Sequence, residues 1–100
     1  MNQITSTIIS KLLEATANAQ LEWLNQEGWE CFTSTFKEQN YILCKYDLEN
    51  GRKEIMLNEA NEDGFIEGDF NEFQEGHEFF PNLDQLHAEV EKRAKIVAPS

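Results

Sequence analysis

Ile4, Ile8, Leu12 and Ala15 recur at helical spacing, with Ile9 and Leu13 beside them. Apolar positions on one face of a 3.6-residue repeat predict an amphipathic helix beginning around Gln3 to Thr5. Its end has two readings. Asn18 tolerates the left-handed conformation in which helices often close, and a stop there lets Leu21-Glu22-Trp23 open an extended segment. Otherwise the helix runs to Asn25. The earlier stop is the preferred reading.

Three strands are predicted next, at Trp29 to Phe36, Tyr41 to Leu48 and Arg52 to Glu59. Asn50-Gly51 has the composition of a two-residue type I′ turn, which needs positive φ at both central positions. Such a turn sets Glu49 against Arg52, Tyr46 against Ile55 and Cys44 against Leu57. Ile42, Cys44, Tyr46, Leu48, Ile55 and Leu57 then share a face. In the first hairpin, a three-residue loop Glu38-Gln39-Asn40 pairs Lys37 with Tyr41 and adds Phe32, Ser34 and Phe36 to that face. A four-residue loop would add Trp29, Cys31, Thr33 and Thr35 instead, because a one-residue slip exchanges the faces. The first option buries two Phe and exposes two Thr, and is preferred. Neither register sets Cys31 opposite Cys44, so both are expected as reduced cysteines, one buried and one partly exposed.

Alternation over Phe65 to Phe70 predicts a short fourth strand, with Ile66 and Phe70 to one side and Glu67 and Asp69 to the other. Leu83, Leu86, Val90, Ala94 and Val97 form the stripe of a closing helix. Asn82 is its expected N-cap, with Gln85 at the capping-box position and Asp84 favouring the N-terminal dipole. Lys92, Arg93 and Lys95 suit its other end. These elements predict a single two-layer α+β domain over residues 1–100. An antiparallel sheet of three to four strands carries the N- and C-terminal helices on one face.

Charge changes the picture more than composition does. The chain is 40% hydrophobic with seven Phe, which argues for a packed core despite a net charge of −11. Residues 54–91 contain twelve acids and no base. Such a chain repels nucleic acid and anionic lipid, and suits a basic protein partner. No apolar run approaches 18 residues and no secretory h-region is present, so a soluble, cytoplasmic protein is expected.

Candidate chemistry is sparse. Glu59, Asn61, Asp63 and Gly64 follow a calcium loop in outline, but position 1 is not Asp and position 12 is Phe70 rather than a bidentate Glu. Cys31, Cys44, His77 and His87 lack the paired short spacings of zinc sites. No nucleophile, phosphate-loop or dinucleotide motif occurs. No metal, cofactor or catalytic residue is therefore expected. The remaining signal is the acidic stretch. Residues two apart on an extended strand lie about 6.6 Å apart, so Glu67 and Asp69 would present two phosphate-like charges, and Glu72, Glu75 and Glu78 would extend the row. With Glu62 and Asp63 these are the candidate partner contacts. An exposed Phe73 would anchor the interface, while Phe65, Phe70 and Phe79 or Phe80 would pin the loop to the core.

The order helix, three strands, helix is similar to that of the double-stranded-RNA-binding domain. That family carries a basic cluster where this chain has PNLDQLHAEVE, so its RNA contacts are not implied. LLEAT (Leu12 to Thr16), LEW (Leu21 to Trp23), the ENG hairpin (Glu49 to Gly51) and the closing helix together resemble a loose group of small bacterial and phage αβββα proteins. That group has no established activity and assigns no site residues. In size, acidity and lack of motifs the chain resembles in kind the anti-CRISPR and DNA-mimic inhibitors. The expected function is a non-enzymatic inhibitor docking on a basic, nucleic-acid-binding surface. The alternatives are an immunity protein or antitoxin against a basic nuclease, and a small ligand-binding or enzymatic domain with a pocket between helices and sheet.

Overall fold

Thr5 starts the first helix by accepting the Ile8 N–H on its hydroxyl at 3.3 Å. In the computed structural model, which describes residues 4–26, 30–66 and 68–97, this helix is α1 (Ser6–Ala17). Its end is a Schellman arrangement: Gln20 N–H bonds Ala15 O, Ala19 N–H bonds Thr16 O, and Ala19 has φ 58°. The earlier of the two predicted stops is therefore the observed one. The left-handed residue is Ala19 rather than Asn18. The chain then extends into β1 (Trp23–Gln26). Thr16 ties the two together, donating its hydroxyl to Leu12 O at 2.7 Å and accepting Trp23 Nε1–H at 2.9 Å, all in the core.

The remaining elements are β2 (Cys31–Phe36), β3 (Gln39–Asp47), β4 (Lys53–Ala60), β5 (Glu72–Gln74), α2 (Phe80–Arg93) and β6 (Lys95–Val97). They form one sheet in the order β5-β4-β3-β2-β1-β6. All pairs are antiparallel except β1 with β6. The α+β class is as expected, but the sheet is mixed and has six strands among the described residues. Predicted strand residue Trp29 lies outside those residues.

Both hairpin registers differ from expectation, and the two turn types are exchanged. Phe36 pairs with Gln39 across a two-residue turn in which Lys37 and Glu38 have φ 50° and 66°. This is the type I′ geometry expected at Asn50-Gly51. The second hairpin uses three residues instead: Leu48 N–H bonds Arg52 O, Gly51 N–H bonds Leu48 O, and only Gly51 of the loop is left-handed, at φ 84°. Lys45 consequently faces Ile55, and Leu43 faces Leu57. The helix-covered face carries Trp23, Phe32, Leu43, Ile55, Leu57 and Phe73, and packs on Ile9, Leu12, Leu83, Leu86 and Val90. Ile42, Cys44 and Tyr46 lie on the other face. The phase was illegible because Tyr41–Cys44 and Ile55–Leu57 are apolar at consecutive positions. Cys44 and Met56 are buried on the helix-free face while Leu43 and Leu57 are buried on the other.

The same register brings Cys31 opposite Cys44, with Cα atoms 4.4 Å apart, and they form a disulfide. The expectation of two reduced cysteines rested on registers that do not occur.

The closing helix starts earlier than predicted. Asn82 does not cap it. Phe79 holds the cap position with no side-chain bond, Pro81 occupies the first turn, and His77 Nδ1 accepts the Phe79 N–H at 3.0 Å. Packing Phe79 and Phe80 against the core draws these residues in. Asp84 instead pairs with Lys45 at 2.7 Å. The helix ends at Arg93. Ala94 turns extended at ψ 143°, and β6 runs beside β1, so Lys95 and Val97 belong to a strand and not to the helix.

Two outcomes follow from the register. Replacing Lys37-Glu38 with Asn-Gly should stabilise the protein by about 1 kcal/mol, since a left-handed conformation costs most non-glycine residues about that much; chemical denaturation at constant slope measures it. Reducing the Cys31–Cys44 bond should cost about 3 kcal/mol for a loop of this size, read as the shift in unfolding midpoint with and without a dithiol.

Candidate interaction surface

The connection from β4 to β5 begins with a second copy of the Leu48–Arg52 turn. Asn61 N–H bonds Phe65 O, Gly64 N–H bonds Asn61 O, and Gly64 has φ 86°. Asn61 Oδ1 accepts from the N–H groups of Asp63 and Phe65, each at 3.0 Å. Turn formation thus accounts for Asn61 and Gly64, two of the four residues that gave the stretch its calcium-loop outline. Among the described residues no group of three or more His, Cys, Asp or Glu is arranged to hold a metal.

Ala60 then bridges Ile66, while Met56 pairs with Glu72. The outgoing strand spends two more residues than β4 over this span, so the chain bulges between Ile66 and Asn71. Asn58 Oδ1 accepts Asn71 N–H at 2.6 Å where pairing resumes. The predicted fourth strand at Phe65–Phe70 is therefore a bridge and a bulge, with the strand itself displaced to Glu72–Gln74.

The predicted contacts fare unevenly. Glu62, Asp63, Asp69, Glu72 and Glu78 are exposed. Glu67 lies outside the described residues. Glu75 is half-buried at the edge of β4: its Oε1 accepts Lys53 N–H at 2.6 Å, and its carbonyl accepts from the Arg52 guanidinium. Phe73 is buried, 8% exposed, because it pairs with Ile55 on the helix-covered face and packs its ring on His77 and Phe79. The aromatic roles are reversed. Phe65 and Phe70, expected to pin the loop, are 68% and 56% exposed. Phe79 and Phe80 do pack on the core. The two extra residues keep the alternation of faces but displace the pairing, so that Phe73 rather than Asn71 meets Ile55.

In the β4–β5 register Glu54 pairs with Gln74, and Glu72 lies two residues along the same face. Burial raises the Glu54 pKa above the ordinary carboxylate value, and the Glu72 charge raises it further. Tyr46, which pairs with Glu54, is raised by burial first and then by Glu30, Glu54 and Glu72.

Two concavities draw on strands β1 to β4. One is a groove of about 470 Å³ on the helix-free face, floored by Leu24, Thr33, Ile42 and Ala60 and walled by residues 20–22 and by Glu62 and Gly64. No periodicity in the sequence announces it, because its floor is drawn from four strands. The other is a polar cleft beside α2, lined by Phe32, Lys45, His87 and Glu91 among others. There Lys45 pairs with Asp84 and Lys53 with Asp47, while Glu91 Oε1 lies 3.0 Å from His87 Nδ1 without a well-aligned hydrogen bond. Burial against Phe32 lowers the His87 pKa below the usual imidazole value, helped by Lys45 and opposed by Glu91 and Asp84.

No family model matches this chain, and neither a curated protein nor a solved structure matches it. Among the described residues no helix is long and apolar enough to cross a membrane.

The two shifted groups act on stability in opposite senses. His87 binds its proton more weakly when folded, so its contribution is complete above pH about 6.5 and declines as pH falls from there through the lowered folded value. Glu54 is the reverse, contributing below its ordinary pKa and losing that contribution as pH rises through the raised value. Glu54→Gln should therefore raise the unfolding midpoint at pH 7 and lose this advantage at pH 4. His87→Gln should flatten the fall in stability between pH 7 and 5. Denaturation curves across this range check both.

Proposed function

We propose that this protein is a non-enzymatic binding protein that docks its acidic β4–β5 connection on a basic partner protein. The observation that carries the reading is the exposure of Phe65 and Phe70 in a stretch that also exposes Glu62, Asp63 and Asp69 and has no base from residue 54 to 91. Leaving two large rings in water is unfavourable for a free monomer, and aromatic anchors dominate protein interfaces. Carboxylates around them steer a basic surface into contact. The rings supply affinity, and the charges supply encounter rate and selectivity.

The partner in this reading is a protein whose basic face otherwise holds nucleic acid, and the outcome is inhibition. Direct binding of nucleic acid is disfavoured by the same charge. We place the interaction in the cytoplasm. Reducing conditions there would open the Cys31–Cys44 bond, lowering stability but leaving the acidic connection, which hangs from β4 and β5.

The test is association with a partner captured from lysate and identified. Neutralising Glu62, Asp63, Asp69 and Glu72 to Gln or Asn should slow association about tenfold at low salt and flatten its salt dependence, because screening acts over a Debye length of about 8 Å at physiological ionic strength. Phe65→Ser with Phe70→Ser should mainly speed dissociation. Neutralising Glu14 and Glu49 should do little. Equal effects from the two acidic sets would overturn the reading.

A further inference from the structure

The acidic connection forms one wall of the groove on the helix-free face. Glu62 and Gly64 line one side; Gln20, Leu21 and Glu22 line the other. The floor crosses four adjacent strands, from Leu24 on β1 through Thr33 and Ile42 to Ala60 on β4. Leu24 is 38% exposed, so an apolar part of this floor, which also holds Thr35 and Asn40, is open to solvent. No lining residue is a base.

We infer that this groove takes an aliphatic side chain from an extended segment of the basic partner, with a Lys or Arg two residues to either side. The inference rests on the proposed binding function and names what that partner presents. Its dimensions follow from sheet geometry. The span from β1 to β4 is three strand spacings, about 14 Å. Residues i and i+4 of an extended chain are separated by about 13 Å, and i, i+2 and i+4 point to the same side. A pattern Arg-x-Leu-x-Arg therefore lays its leucine on Ile42 and its two cations on the opposite rims, beside Glu22 and Glu62.

Glu22 is held by Lys95 at 3.1 Å, but both side chains are well exposed, and such surface pairs are weak enough for a competing cation to exchange. The occupant crosses the strands, so it does not add a strand to the sheet edge. A second copy of this chain is a poor occupant, since two molecules of net charge −11 repel.

The experiment uses the full chain and blocked peptides centred on Arg-Ser-Leu-Ser-Arg, Arg-Ser-Ser-Ser-Arg and Glu-Ser-Leu-Ser-Glu, with amide chemical-shift titrations. The first peptide is expected to move the resonances of Leu24, Thr33 and Ile42, and to bind at least tenfold more tightly than the other two. Thr33→Lys, or Glu22→Gln with Glu62→Gln, should weaken it at least tenfold, while Asp69→Asn with Glu72→Gln should not. Thr33→Lys places a cation on the floor; the rim pair lies on the surface and keeps the test valid if that variant misfolds. Equal binding of the two Arg peptides, with shifts confined to Asp69 and Glu72, would overturn the groove assignment and leave the acidic-surface reading standing. Binding of no peptide would also overturn the groove assignment, with the captured-partner kinetics deciding the broader reading separately. Preference for the acidic peptide would overturn both.

Discussion

The turn at Lys37-Glu38 sets the register on which the rest of the sheet depends. Two left-handed residues close β2 onto β3 with Phe36 opposite Gln39, and every later pair in that hairpin inherits the phase. Side chains alternate strictly along a strand, so this one choice places Phe32 and Leu43 toward the helices and Ile42 toward the opposite face. It also sets Cys31 against Cys44. Neither residue of the turn is one that favours positive φ, so the turn is held by what it aligns: Leu43 lies between Phe32 and Leu57 beneath α2.

The two faces of the sheet then take different tasks. The helix-covered face holds the large aliphatic side chains together with the Thr16–Trp23 hydrogen bond that anchors α1. The helix-free face buries Cys44, Met56, Asn58 and Ala60 without a helix above them, and leaves a groove beside them. The proposed interaction surface combines that groove with the connection that walls it. The connection spends two residues more than β4, which displaces the paired strand to Glu72–Gln74 and sets Phe73 against Ile55, while Phe70 stays outside the pairing and exposed.

Much was legible in the chain itself. The α1 stripe, its stop near Asn18, the extended segment from Leu21, the strands of the central hairpins and the closing Leu83–Val90 stripe follow from local spacing and capping chemistry, which act within a few residues. The acidic excess over residues 54–91 is likewise a property of sequence alone. Tertiary structure decided what depends on distant partners. Tyr41–Cys44 and Ile55–Leu57 are apolar on both faces, so only packing between strands and helices could select their phase. The disulfide, the burial of Phe73, the Glu75–Lys53 hydrogen bond, the exposure of Phe65 and Phe70, and the groove were decided there. Each joins residues that lie far apart in the chain or on opposite sides of a bulge, and periodicity carries no information across such a gap.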